Sequence, residues 1–573
     1  MIYRVITATL TARTAFHIGS GEGNGLTDAL VRRDAEGQVF IPGSTIAGAL
    51  RTLLTKLALR LGEKPCKALG GSEGEQKKPC DCRVCQLFGN INPGDEEGSS
   101  SRASRLLVFN ARPIDTPPRP MIRDGVGIDR VTGTAARVSA VKFDLEVLPA
   151  RSKFELRMEL RDTTPEDELL LAAGLAEWNA GRLWLGGRVA RGLGAFNLDN
   201  LQFKTFCLDK PERVLAFLKN DEPWQLAIPV DGWLEKKISS IKCYAVNGKP
   251  VAARGWLSLT GTLQAEGLML TNETMAAAAS GFDHAPLLAQ WSDWQNPVLT
   301  GAGLRGVLRF HAERLARTLA TLHAADKEDF LRCCPACDTN VRDSNKERRL
   351  PLESCDSLLK KASIPGNAEV SEDLLCLACR LFGSSRLGSR LIVEDAPYEA
   401  TEGQSKPVYK MLDFLAIDRF TGGGAEGAKF DALALWRPAF TLRLHLENPD
   451  PWELGWLFMV LRDLSEGWLN IGFGGAKGFG KLKLTRWVAT FGYLLPEDAP
   501  PGLTKLKLTS KKSGVYTTVS VKSDMDGWTA LVQKWVDSFH ETIQQFQRQE
   551  QIKLTEDSYF GVVDQYYLKG EVP

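Results

Sequence analysis

Apolar residues alternate with threonines along RVITATLTA, where Ile6, Ala8 and Leu10 share one side, and along GWLSLTGTL, where Leu257, Leu259 and Leu263 do the same. A period of two predicts strands buried on one face. After an irregular stretch, each strand gives way to a helical period. Ile46, Leu50, Leu53, Leu54, Leu57 and Leu61 form the first stripe, with Ser44 or Thr45 as candidate N-caps. Leu304, Leu308, Leu315, Leu319 and Leu322 form the second. Strand-like runs (FDLEVLPARSKFELRMEL; LWRPAFTLRLHLEN) then precede a further helical stretch, LLLAAGLAEWN or WELGWLFMVLRDL, and a glycine loop with a last strand. This order predicts an α+β unit, helices packed on one face of an antiparallel sheet. From about residue 500 a Lys-rich connection leads to an amphipathic helix predicted over 527–549.

The chain repeats itself. RVCQLFGN is answered by LACRLFGS, IDRVTGTA by IDRFTGGG, LGGRVARGLGAF by IGFGGAKGFGKL, and FIPGSTIAGALR by VLTGAGLRGVLR, all in the same order. Four ordered pairs mean two divergent copies of one domain. The expected division is residues 1–200 for the first copy, 201–250 for a linker, 251–495 for the second copy and 496–573 for a C-terminal extension.

Composition is that of an ordinary globular chain: 573 residues, 43% hydrophobic and 25% charged. No window approaches the roughly eighteen uninterrupted apolar residues of a membrane span, and the N-terminus lacks signal-peptide features. The expectation is a cytoplasmic protein without membrane contact. A net charge of +1 argues against a bulk-basic nucleic-acid binder. Its distribution points the other way: seven arginines lie between Arg102 and Arg137 against three acids, and Arg182, Arg188 and Arg191 stand in an acid-free glycine segment. A solvated loop face is the alternative for either run.

Twelve cysteines in such a chain point to metal. Cys334 and Cys337, with Cys376 and Cys379, form two C-x-x-C knuckles; Cys66, Cys80, Cys82 and Cys85 form a less regular set. Each group offers four thiolates, the donor set of structural zinc, with no open position for chemistry. Cys333 and Cys355 remain as alternative ligands in the second group.

Together, FHIGSG with its acid-bearing loop, FIPGSTIAGALR, the CxxC-x-LFG segment, IDRxTG and LGGRVARGLG resemble the RAMP superfamily of CRISPR-associated proteins. They are most similar to the repeating backbone subunit of type III effector complexes, here fused in tandem over about residues 1–200 and 255–490. The resemblance implies two ferredoxin-like (RRM-like) domains, each with a zinc-binding insertion and a thumb-like hairpin. It also implies a CRISPR guide RNA, a complementary target RNA and other subunits of the complex as partners.

Several residues then become RNA-binding candidates. In the glycine loops these are Gly187, Arg188, Arg191, Gly192 and Gly194, and Gly474, Gly475, Lys477 and Gly478, where amides and cations suit phosphates. At the helix starts they are Gly43, Ser44, Arg51 and Arg309. In the hairpins, Ile128, Arg130 and Thr132 with Ile417, Arg419 and Thr421 would wedge into the guide–target duplex. A tight turn and an unliganded surface hairpin are the alternatives. The resemblance further implies target cleavage by a loop aspartate, Asp28, through attack of the RNA 2′-OH on the adjacent phosphate. A divalent cation, Mg²⁺, held by this acid fits better than a general base, since an ordinary aspartate is too weak a base. Asp283 is its expected twin, with Asp293 as rival. His17 as a general acid is disfavoured, because alignment sets Met269 opposite it. A non-catalytic RNA-binding scaffold is the competing function; a histidine-centred guide-processing endonuclease is disfavoured because none of the six histidines recurs in both copies.

Overall fold

The computed structural model describes residues 2–25, 27–66, 80–90, 101–128, 135, 142–246, 252–291, 294–337, 354–366 and 370–549. The first unit is built on Ile2–Ala12, which pairs antiparallel with Lys153–Leu160 on one side and Phe196–Cys207 on the other. Leu106–Val108 and Ile228–Pro229 complete five strands at the edges. Leu10 stands opposite Phe154 and Leu198, and all three are buried. The alternation has therefore placed one apolar face inward. Helices Gly43–Ala58 and Pro165–Asn179 pack against each other close enough that a Cβ at Gly174 would lie 2.8 Å from Leu54.

The second unit repeats this arrangement. Gly255–Ala265 runs between Ala439–Glu447 and Leu482–Tyr493, with Leu263 opposite Phe440 and Leu484. Its sheet is wider, with nine strands among the described residues: a hairpin from Lys511–Ser513 to Tyr516–Lys522 adds beyond Leu482–Tyr493, and Ala396–Glu399, Trp294–Leu299 and Leu288–Trp291 extend the opposite edge. The long helix Gly301–His323 buries Leu304 and Leu308 and then Ala312, Ala316 and Ala320. The leucine stripe expected there is thus only half right: Leu315 and Leu319 are partly buried, and Leu322 is 62% exposed. A row of alanines lets helix Pro451–Glu466 approach, and Trp456 donates its indole N–H to the Ala312 carbonyl at 3.0 Å.

Two connecting regions are more ordered than the sequence implied. Residues expected as a linker fold onto the first unit, where Trp233 stacks on Phe203 at 4.3 Å and Phe217 meets Tyr3 edge-on at 4.8 Å. Helix Trp528–Gln545 packs on Pro451–Glu466 through Trp535 and Phe539, the latter stacked on Trp456 at 5.1 Å.

The units join head to tail. Gly192, in the first glycine loop, seats against Gly301 at the start of the long second-unit helix, where a Cβ on either residue would collide with the other's backbone. Asp395 accepts the Gly301 amide at 2.9 Å and pairs with Arg123 of the first unit at 2.6 Å. Arg13 meets Glu394 at 2.6 Å, and Trp184 donates to the same carboxylate at 3.3 Å. In the first unit the equivalent helix amide, Gly43, is taken by Asn110 Oδ1 at 3.0 Å. Pro42 is the N-cap there, and Ser44 and Thr45 fall within the first turn. The first amide of each helix therefore already has a side-chain acceptor within the protein.

Candidate nucleic-acid interface and metal centres

Asp28 is exposed in the loop between the first strand and first helix. Its amide donates to the Asp144 carbonyl at 3.1 Å, and its Oδ2 accepts the Asp144 amide at 2.8 Å. Asp144 lies on Lys142–Val147, which pairs with Met121–Val126 to form a hairpin. In the second unit, Asp283 Oδ2 accepts the Asp431 amide at 2.9 Å, and the Asp283 amide donates to Asp431 Oδ1 at 2.8 Å. Asp431 lies on Gly424–Trp436, the returning strand of the hairpin that begins at Tyr409–Ile417. One residue further on, Ala29 bridges Leu145 and His284 bridges Ala432, both in parallel sense. Asp28 and Asp283 therefore occupy equivalent places, clasped to the repeated triplets Lys142-Phe143-Asp144 and Lys429-Phe430-Asp431. Asp293 lies outside the described residues.

Charge gathers around the first clasp. Burial, Asp124 and Asp28 raise the Asp144 pKa against the opposing pull of Lys142. Burial and Arg191 lower that of Arg188, while Asp28 opposes them. His17 belongs to the scaffold: its Nδ1 is 2.7 Å from the Glu146 carbonyl, and burial lowers its pKa. Gly187 donates to the His17 carbonyl and Phe473 to the Leu270 carbonyl. Leu270, rather than Met269, thus occupies the place of His17.

The glycine loops work differently from the expectation. The amides of Gly187, Gly192 and Gly194 donate to His17, Val189 and Ala15, and that of Gly478 to Gly475. Gly194 and Gly480 take positive φ, and a Cβ would strike the carbonyls of Leu185 and Ile471. The turn itself therefore requires glycine at these two positions. What faces outward is cationic. Arg188 stacks over Phe143 at 4.1 Å, and Lys477 lies over Phe430 at 4.0 Å. Alignment pairs Lys477 with Arg191, yet in space it does the work of Arg188, whose left-handed backbone position is filled by Gly474. Arg191 is exposed beside them, and Gly475 lies in the short turn that presents Lys477.

In the hairpins, Ile128 is 49% exposed; Arg130 and Thr132 lie outside the described residues. In the second unit Asp418 Oδ1 accepts the amides of Phe420 and Thr421 and the Thr421 hydroxyl, so Thr421 forms the turn. Ile417 and Arg419 are exposed, and Phe420, which sequence reasoning passed over, is 99% exposed at the tip. The variable fourth position of IDRxTG was the signal that could have identified it.

Two cysteine clusters bring four sulfurs each within 4.8 Å of one another: Cys66, Cys80, Cys82 and Cys85, and Cys337, Cys355, Cys376 and Cys379. A tetrahedron with metal–sulfur bonds of about 2.3 Å needs sulfurs about 3.8 Å apart, so both sets fit structural zinc. Cys334 is not in the second set. Its thiol faces the Ala336 carbonyl at 3.3 Å, and Cys355, which starts the short helix Cys355–Lys361, takes the fourth corner. Arg51 and Arg309 are also reassigned. Arg51 Nη2 donates to Cys85 Sγ at 3.2 Å, and Arg309 Nη2 to Cys379 Sγ at 3.6 Å. Arg309 is buried against Glu313 at 2.7 Å. The repeated arginine thus supports the repeated thiolate site.

Two copies of one sheet-and-hairpin unit, each with a clasped acid, an outward cation on an aromatic ring and a four-thiol cluster, define a tandem duplicated α+β protein. The model of the RAMP superfamily matches residues 9–197 and 287–483, so the chain belongs to that superfamily, with two such domains. Membership makes CRISPR-associated RNA binding its class of function. Comparison with curated proteins gives no match. No helix among the described residues is long and apolar enough to cross a membrane.

Proposed function

We propose that this chain is a tandem backbone subunit of a type III effector complex, and that it cleaves guide-paired target RNA at two positions, one per unit. The observation that carries the reading is the recurrence of the clasped aspartate, Asp28 on Asp144 and Asp283 on Asp431, each unit also presenting a stacked cation, Arg188 or Lys477. The cations steady the RNA backbone, and the hairpins, tipped in the second unit by Phe420, displace a nucleotide. Displacement lets the 2′-OH align with its own phosphate, which is a rate gain by orientation. Sequence choice comes from pairing with the guide.

Asp28 and Asp283 are exposed carboxylates, oxygen donors that suit Mg²⁺. Among the described residues, the two cysteine sets are the groups of three or more ligands close enough to share an ion. Each aspartate would therefore hold the cation together with RNA phosphate oxygens. When bound, the ion would stabilise charge developing on the reacting phosphate.

The clasps also support a second reading, a scaffold in which the aspartates only fasten loop to hairpin. Reconstitution with guide RNA and product mapping separates the two. Asp28→Ala and Asp283→Ala should each remove one product while target binding persists; unchanged cleavage in the double variant leaves the scaffold.

A further inference from the structure

The second thiolate cluster is closed by a residue from outside the matched family regions. Arg548 follows helix Trp528–Gln545 and is only 6% exposed. Its Nε donates to the Cys334 carbonyl at 3.0 Å, its Nη1 lies 3.9 Å from Cys355 Sγ, and its amide donates to the Arg332 carbonyl at 2.8 Å. Neighbouring tail residues anchor it. Phe546 sits under the Arg380 guanidinium at 5.5 Å, and Gln549 donates to Asp373 at 2.6 Å.

Charge explains why an arginine is there. Four thiolates around a divalent ion carry a net charge of minus two, which is costly to bury without compensation. Arg309 reaches Cys379, and Arg317 donates to the carbonyls of Ala336 and Cys337, but Glu313 pairs with both arginines. Those three buried side chains leave one positive charge and Arg548 supplies the second, while the nearby Arg380 faces the acids Glu372 and Asp373 as well as the thiolates. At the first cluster Arg51 donates to Cys85, and Cys66, Cys80 and Cys82 are partly exposed.

We propose that Arg548 is the charge-compensating plug of the second four-cysteine site, so that zinc loading and docking of the segment 546–549 stabilise each other. The proposal rests on reading that cluster as a zinc site. By linkage, whatever binds only the docked state favours it, and the metal and the tail do this for one another. Zinc should leave the partly exposed first site quickly and the plugged second site slowly.

The test uses the purified full chain. Elemental analysis should give two zinc ions per chain; a chain without zinc at the second cluster overturns the metal reading itself. Zinc release to a colorimetric chelator should then run in a fast and a slow phase. Arg548→Met should speed the slow phase about tenfold and leave the fast one unchanged, as for outer partners of metal ligands. Arg548→Lys should fall between. Independently of any variant, trypsin should cleave after Arg548 only once a strong chelator has stripped the metal. Wild-type release rates in Arg548→Met, or equal cleavage at Arg548 with and without metal, would overturn the plug.

Discussion

Asp28 and Asp144 bind each other twice across 116 residues of chain, amide to carbonyl at 3.1 Å and carboxylate to amide at 2.8 Å. The loop acid is thereby fixed to the hairpin strand that carries Phe143, the ring beneath Arg188. Hydrogen exchange should report this. Asp28→Ala should speed exchange of the Asp144 amide roughly tenfold, the loss expected for one bond to a charged acceptor, and Asp28→Asn, which keeps a neutral acceptor, should speed it less. Equal exchange in all three chains would show that the clasp does not hold the loop.

Cations on the glycine loops and at the thiolate sites should separate by salt dependence. Arg188→Ala and Lys477→Ala should each lower the slope of log affinity for RNA against log salt by about one, uniformly across sequences. Arg309→Met should leave the slope alone and instead destabilise the fold by about 3 kcal/mol, because Glu313 loses its nearer buried partner and keeps Arg317. Titration of RNA binding over a salt series, with thermal denaturation, checks both.

That contrast shows what the sequence carried and where it stopped. The duplication was legible because four motif pairs recur in order, and the first strands and helices followed from periodicity alone. Arg309 was misread because an arginine after a glycine-rich helix start looks like a phosphate ligand; its bond to Cys379 depends on helix register. Cys334 looked right because of its C-x-x-C spacing, whereas Cys355 is brought in by a separate helix. The exchange of roles between Arg188 and Lys477 was invisible to alignment, since stacking on Phe143 or Phe430 is decided by side-chain reach. The contact of Gly192 with Gly301 needed the two units to be seen together.

Phe420 should matter to ligand and not to fold. At 99% exposed, its loss should move stability by less than about 0.5 kcal/mol. Phe420→Ala should weaken cleavage or retention of guide-paired RNA at the second unit, where stacking is worth about 1–3 kcal/mol per base. A comparison of target affinity and product yield with wild type measures it.

His445 should make the junction pH-sensitive. It lies beside Trp184 of the first unit at 5.1 Å and Trp256 at 5.8 Å. Burial pushes its pKa down to about 4; Arg182, Arg13 and Lys56 add to this and Glu447 opposes it. The unfolded chain takes up the proton first as pH falls, so this stability is complete above about 6.5 and lost progressively down to about 4. The loss amounts to about 3 kcal/mol for one proton. Denaturation of wild type and His445→Leu between pH 7 and 4 should show a slope in the first that flattens in the second.

Conservative substitution of the clasped acids tests the central claim most directly, because asparagine keeps an oxygen acceptor and removes the charge. In the reconstituted complex, Asp28→Asn should abolish one target cleavage product and Asp283→Asn the other, with guide and target binding unchanged. If both asparagine variants cut at the wild-type positions and rates, the aspartates only fasten loops to hairpins and the cleavage account is contradicted.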